Sequence, residues 1–193
     1  MIWYQYIRRK KPLLFNGSFN RKLSERLLIA LLHWYKYNGL TLQPSYLVFE
    51  HEGTYQKYLS SPYKCRKLED HIYKVLKIIK NSTMTMPVSY IHGDAGIHNS
   101  FIDKDNELVI YDWERSRWDF IAKDVYSVEH YGDVIFDLIY QKWLDEEFDT
   151  SNVFSATAQR HIINLFITVE KENLTSSEER KLSESLNYIC NNM

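Results

Sequence analysis

Apolar residues recur at helical spacing early in the chain. Leu23, Leu27, Leu28, Leu31, Leu32 and Tyr35 fall on one stripe, which predicts an amphipathic helix over about Asn20–Asn38 with Gly39 as its C-terminal cap. Residues 40–64 show no single period, and a short strand is expected at Tyr46–Phe49. A second stripe, Leu68, Ile72, Val75, Leu76 and Ile79, predicts a helix over about Arg66–Lys80 whose lysines face solvent. The pattern changes at Pro87. Val88–Ile91 is a short apolar run, and Ser100–Asp103 and Leu108–Tyr111 flank the polar turn Lys104-Asp105-Asn106, which predicts a β-hairpin. From Asp119 onward the helical period returns, with segments expected near 120–130, 132–145, 154–171 and 176–190. Ser176 or Ser177 followed by Glu179 is the start signal of the last one. Ahead of the first helix, residues 1–8 are aromatic and β-prone and residues 9–20 read as a loop, so residues 1–19 form an entry segment. The pattern is that of a mainly α chain with a small central β-hairpin, an α+β class, and residues 20–193 form its body.

Composition narrows the function classes. With 24 Lys+Arg against 25 Asp+Glu in 193 residues, the chain is not a histone-like nucleic-acid binder. The balance hides a split: residues 1–81 carry 15 Lys/Arg against 5 Asp/Glu, and residues 82–193 carry 9 against 20. Two chemically different faces, or a basic half docked on an acidic one, are expected. Cys65 and Cys190 are far apart and form no CxxC or Cys/His run, which argues against a zinc ribbon, a redox motif or a disulfide scaffold. The longest apolar stretch, Leu27–Leu32, is far short of a membrane span, and the charges at the start follow an aromatic run, the reverse of a secretory signal. A cytoplasmic protein with no membrane partner is expected.

The polar residues with chemical potential gather on the β element. An apolar strand delivers Asp94 into the loop His92-Gly93-Asp94-Ala95-Gly96-Ile97-His98-Asn99. Asn99 follows five residues after Asp94, and the hairpin returns Asp112 18 residues after it, in Ile110-Tyr111-Asp112-Trp113-Glu114. Strand ends hold side chains rigidly and project them together. An amide and a carboxylate oxygen suit Mg²⁺, which keeps several waters and takes phosphate oxygens as well. A remaining carboxylate can orient and deprotonate a hydroxyl. Those are the parts of a phosphoryl-transfer site.

This stretch resembles the catalytic loop and metal-binding segment of the aminoglycoside phosphotransferase/choline kinase-like family, relatives of the protein kinases. His92-Gly93-Asp94, four residues, Asn99 and the apolar residues after it match the family's loop. Ile110-Tyr111-Asp112-Trp113-Glu114 matches its apolar-apolar-Asp-aromatic-acidic segment, and Asp124 lies about a dozen residues further on, opening a helix, as the family's helix Asp does. Upstream, the helix containing Leu32-His33 resembles one that ends in a Leu-His pair in the family. The resemblance runs from about residue 20 to 130 and is strongest over 92–124.

The resemblance implies a kinase-like large lobe with a catalytic loop at 92–99 and a metal segment at 108–114. It implies ATP- and Mg²⁺-dependent transfer of a phosphoryl group to a small-molecule hydroxyl, of the aminoglycoside, amino-alcohol or sugar class. Asp94 would be the base that orients the acceptor, and Asn99 and Asp112 the Mg²⁺ ligands. His92 would brace the loop, Asp124 would tie its helix to that loop, and Glu114 would stand behind the metal residues.

The sequence departs from the family in two places. Trp118-Asp119-Phe120 stands where a Gly-Asp-Pro-like turn is common. No Gly-rich phosphate loop with a strand lysine is visible, and the one close glycine pair, Gly93/Gly96, lies inside the catalytic loop. The expectation is a large lobe lacking its N-terminal nucleotide lobe. The alternative is a catalytically incomplete lobe that acts as a binding module or pairs with a separate small lobe. A third reading takes His92, Asp94 and His98 as ligands of a hydrolase metal. His33, His51, His71, His130 and His161 are scattered and read as satisfied or surface residues. Trp113 and Trp118 flank the site in sequence and are candidates for an aromatic ligand wall, though core packing is the simpler role.

Overall fold

The computed structural model describes residues 17–50, 68–128, 134–169, 171 and 174–193. The first stripe forms helix α1, Gly17–Asn38. Its Leu27, Leu28, Leu31 and Tyr35 are fully buried, because positions three and four apart share one face of a helix. Gly39 ends the helix at φ +96°, a left-handed conformation that costs glycine least. The entry segment expected over 1–19, its aromatic run and the basic cluster Arg8–Lys11 fall on residues 1–16, outside the described residues, apart from the first turn of α1.

The strand expected at Tyr46–Phe49 is not there. Strand β1 is Thr41–Pro44, and Leu47–Glu50 is a single helical turn, α2. The reason is tertiary. Strand β2, Thr85–Ile91, offers a partner to residues 41–44, in the register Thr41↔Val88 and Pro44↔Thr85. Past Pro44 the Val48 N–H donates to the Ser45 carbonyl and closes a turn instead.

Helix α3, Glu69–Asn81, buries Ile72, Val75, Leu76 and Ile79 as its stripe requires. Strand β2 begins two residues before Pro87. Strand β5, Arg117–Phe120, reaches only Val88, so at Pro87 the sheet is one-sided and a missing N–H is tolerated. The three strands form an antiparallel sheet in the order β1-β2-β5. The expected hairpin is present as β3, Ser100–Ile102, and β4, Leu108–Ile110, in the register Ser100↔Ile110. Strand β5 lies where the sequence reads as loop and helix start. Helix α4, Ile121–Val128, follows it without a break.

Three helices complete the chain: α5, Val134–Glu147; α6, Ala156–Val169; and α7, Ser176–Asn192. Helix α7 starts one residue earlier than its serines suggest. Thr175 is the cap, and its hydroxyl and the Glu178 carboxylate form a reciprocal capping box. The result is a mostly helical α+β chain with a small antiparallel sheet. Among the described residues no helix is long and apolar enough to cross a membrane. The charge split appears as an α1–α5 contact, with Lys36 Nζ 2.5 Å from Glu147 Oε1, although an exposed pair of this kind contributes little.

Two histidines read as scattered are structural. His71 Nε2 lies 3.3 Å from Cys190 Sγ, joining α3 to α7. His161 stacks on Tyr188, ring centroids 4.2 Å apart, and its Nδ1 lies 3.0 Å from Ser185 Oγ. Asn164 donates to that same oxygen at 2.8 Å, which leaves the Ser185 hydroxyl to donate to a neutral His161 ring. Burial, and then the Arg160 charge, push the His161 pKa down from 6.5 to about 4. The unfolded chain therefore binds a proton below 6.5 that the folded chain refuses until about 4. Stability is complete above that window and falls as pH drops through it. With allowance for solvent around a half-exposed ring, the loss is about 1–2 kcal/mol. The expected result is a lower melting temperature at pH 4.5 than at pH 7, with a smaller drop in His161→Phe, which keeps the stack. An equal drop in both proteins would remove His161 as the cause.

Candidate active site

The site grows from the C-terminal end of β2. Ile91 is buried in the sheet and His92 is the first residue past it, also fully buried. Asp124, in the first turn of α4, lies beneath them with only 1% of its surface exposed. Its Oδ2 accepts the His92 backbone N–H at 2.6 Å, and its Oδ1 accepts the Gly93 N–H at 2.8 Å. The Tyr35 hydroxyl donates to Oδ2 at 3.0 Å. Burial pushes the Asp124 pKa up, and the three donors oppose that by favouring the carboxylate. The loop thus leaves the strand with two consecutive amides held by one side chain.

Gly93 then turns the chain at φ +84°. A Cβ there would lie 2.2 Å from the Arg115 carbonyl oxygen, so the position excludes any side chain. That close approach packs the 92–99 loop against the segment after Asp112. His92 makes a second link between the two. A carbonyl needs a donor, so His92 Nε2–H donates to Tyr111 O at 2.8 Å. Its Nδ1 accepts the Asp94 N–H at 3.3 Å. The two bonds together define a neutral ring with its proton on Nε2. The ring also packs on Trp113, centroids 4.5 Å apart, and Trp34 packs on the same indole at 4.9 Å.

Asp94 follows at the rim, partly exposed. Its Oδ1 lies 3.6 Å from His98 Nε2 and its Oδ2 3.8 Å from Arg115 Nη1. Its carbonyl accepts the Asn99 amide N–H at 2.9 Å, which turns the buried Asn99 Oδ1 the other way. Asn99 sits in the 3₁₀ turn Ile97–Asn99, and its carbonyl accepts the Tyr111 N–H at 3.0 Å. The β3–β4 ladder therefore continues one pair beyond the strands and brings Asp112 to the end of the hairpin where Asn99 stands. Asp112 is exposed at φ 65°, ψ 54°, left-handed for a non-glycine residue. Among the described residues its carboxylate has no hydrogen-bond or ion-pair partner. Glu114, in the 3₁₀ turn Trp113–Arg115, is exposed as well.

The structure brings together Asp94, Asn99 and Asp112, with His92 and Asp124 beneath them. Among the described residues no three His, Cys, Asp or Glu side chains gather as a metal set. An exposed carboxylate and an amide, on segments joined by the Asn99–Tyr111 backbone bond, are oxygen donors of the kind that suit a hard cation keeping its waters. The set of His92, Asp94 and His98 fits a metal less well, because both His92 nitrogens are already engaged with the backbone.

Trp113 is a packing residue whose Nε1–H donates to Ile110 O at 3.1 Å. Trp118 is 50% exposed on β5 and meets Tyr90 edge-on at 6.5 Å, so it is the one of the two that offers a surface. Three residues around the loop escape sequence reasoning. Tyr35 reads only as part of an apolar stripe. Ser127, one turn after Asp124, donates its hydroxyl to the Ala95 carbonyl. Asp119, buried, accepts from Lys123 at 2.9 Å and Arg117 at 3.0 Å, and its own side chain receives the Phe120 N–H. That cluster lies in Trp118-Asp119-Phe120, the stretch where the sequence departs from the resemblance, and its carboxylate fixes the junction of β5 and α4. No family model, curated protein or solved structure matches the chain.

Proposed function

We propose that the chain is a kinase-like large lobe that transfers the γ-phosphoryl group of ATP to a hydroxyl of a small molecule. The observation that carries this reading is the Asp112 carboxylate, without a partner among the described residues and set in a left-handed backbone at the hairpin end where Asn99 also stands. Backbone strain at an exposed acid has a ready explanation if the acid faces a ligand. Asn99 and Asp112 would hold Mg²⁺, which when bound offsets the negative charge of the phosphates. Asp94 orients the acceptor and takes its proton as the new O–P bond forms. The bond from phosphorus to the bridging oxygen of ADP breaks in the same displacement. The acceptor reaches Asp94 past Arg115 and His98, both of which are largely exposed.

Calorimetry with ATP in the presence and absence of Mg²⁺ tests the metal residues. Binding that requires Mg²⁺ is expected, and Asp112→Ala should weaken it at least tenfold while leaving the melting temperature within a degree or two, since Asp112 is exposed and has no ion-pair partner among the described residues. Equal ATP affinity in Asp112→Ala and the unchanged chain would remove Asp112 from that role.

A further inference from the structure

Tyr35 stands on α1, away from the loops that carry the candidate chemistry, and its side chain is fully buried. A core aromatic needs only its ring; a buried hydroxyl needs a partner. The partner here is Asp124 Oδ2, the oxygen that also accepts the His92 N–H. Tyr35 grips the same region from its backbone too. Its carbonyl lies 3.2 Å from Ser89 Oγ, whose hydroxyl donates to Gly39 O at 2.7 Å, and Ser89 lies on the strand that delivers the loop.

We propose that Tyr35 is a positioning residue of the candidate active site: through Asp124 it fixes the loop on which Asp94 stands. The His92 and Gly93 amides hold one oxygen of the carboxylate each, and each of those bonds can still stretch and tilt. A third donor from a different helix, on Oδ2, narrows that play and ties the carboxylate that holds both amides to α1. Asp94 is the next residue after those amides, so a shift in them displaces the carboxylate that must meet the acceptor. Burial, and then the neighbouring Asp124 charge, hold the Tyr35 hydroxyl well above its ordinary pKa, so it stays a donor at any working pH.

Tyr35→Phe keeps the ring and removes only the donor. Tyr140→Phe is the matched control: Tyr140 is equally buried and close enough to act on Tyr35 electrostatically, but its hydroxyl donates at 2.9 Å to Gln159 and not to Asp124. Both should lower the melting temperature by a few degrees. Only Tyr35→Phe should speed amide exchange at His92 and Gly93, by tenfold or more. It should also lower kcat for Mg-ATP turnover about tenfold, with water or an added hydroxyl as acceptor, and leave KM for Mg-ATP within twofold. Unchanged exchange at the two amides, or equal effects from Tyr140→Phe, would overturn the role. If Tyr35→Phe does not fold, the unchanged chain still decides. The Tyr35 hydroxyl proton should give a slowly exchanging resonance with cross-peaks to the His92 and Gly93 amides, and its absence counts against the contact. The kinetic arm rests on the phosphotransfer reading. A chain without Mg-ATP turnover would contradict that reading, and the exchange comparison would still judge Tyr35.

Discussion

Asp94→Ala is expected to lower phosphoryl transfer about a thousandfold and to leave the fold intact. The two halves of that expectation come from the same contacts. Asp94 is partly exposed, and its ion pairs to His98 and Arg115 are 3.6 and 3.8 Å long with both partners more than 60% exposed. Pairs of that kind contribute about 0–1 kcal/mol to stability. The loop around Asp94 is held by other atoms: the Asp94 N–H on His92, its carbonyl on Asn99, and the amides before it on Asp124. None of those bonds uses the Asp94 carboxylate, so removing the carboxylate leaves the backbone where it was. A loss of activity with an unchanged melting temperature and unchanged Mg-ATP affinity is the combined signature. Activity within tenfold of the unchanged chain would take the proton-accepting role away from Asp94.

Asp124→Ala should do the reverse and damage the fold first. Asp124 is 1% exposed and satisfies three buried donors: the amides of His92 and Gly93 and the Tyr35 hydroxyl. Alanine leaves all three without a partner in a site too closed for easy hydration. At about 1–3 kcal/mol for each orphaned group, and with incomplete additivity, the loss is about 3–5 kcal/mol. That is a large share of the ~5–15 kcal/mol that holds a domain together. Denaturant unfolding followed by circular dichroism measures it. Asp124→Asn should fall between, since an amide oxygen accepts while its NH₂ faces donors. A loss under 1 kcal/mol for Asp124→Ala would mean the carboxylate does not anchor the loop as described.

Much of this arrangement was legible in the sequence, and the exceptions share a cause. The α1 stripe ending in Tyr35, the α3 stripe and the β3–β4 hairpin follow from local periodicity, because each buries one face regardless of its partner. Asp94, Asn99 and Asp112 were singled out by residue type and spacing and Asp124 by the family resemblance, and the structure gathers them around the end of β2 and the base of the hairpin. Strand β1 was missed because residues 41–44 owe their conformation to β2, more than 40 residues away. Strand β5 was missed because Arg117–Phe120 runs straight into α4, and its residues do not alternate: Arg117 and Trp118 are exposed, Asp119 and Phe120 buried. The Tyr35 hydroxyl left no local trace, since its partner is 89 residues distant. Nor did the Asp119 cluster, whose two cations and backbone donor meet only once β5 and α4 have formed. Long-range pairing, rather than weak propensity, separates what was visible from what was not.

The most direct measurement follows the γ-phosphoryl group itself. The chain is incubated with γ-labelled ATP, Mg²⁺ and a panel of amino-alcohol, aminoglycoside and sugar acceptors, beside Asp94→Ala and Asp112→Ala. Label on a hydroxyl acceptor, dependent on Mg²⁺ and lost in both variants, is the predicted result. Label that persists in both variants, or a chain that neither binds nor turns over Mg-ATP, would contradict phosphoryl transfer at this site.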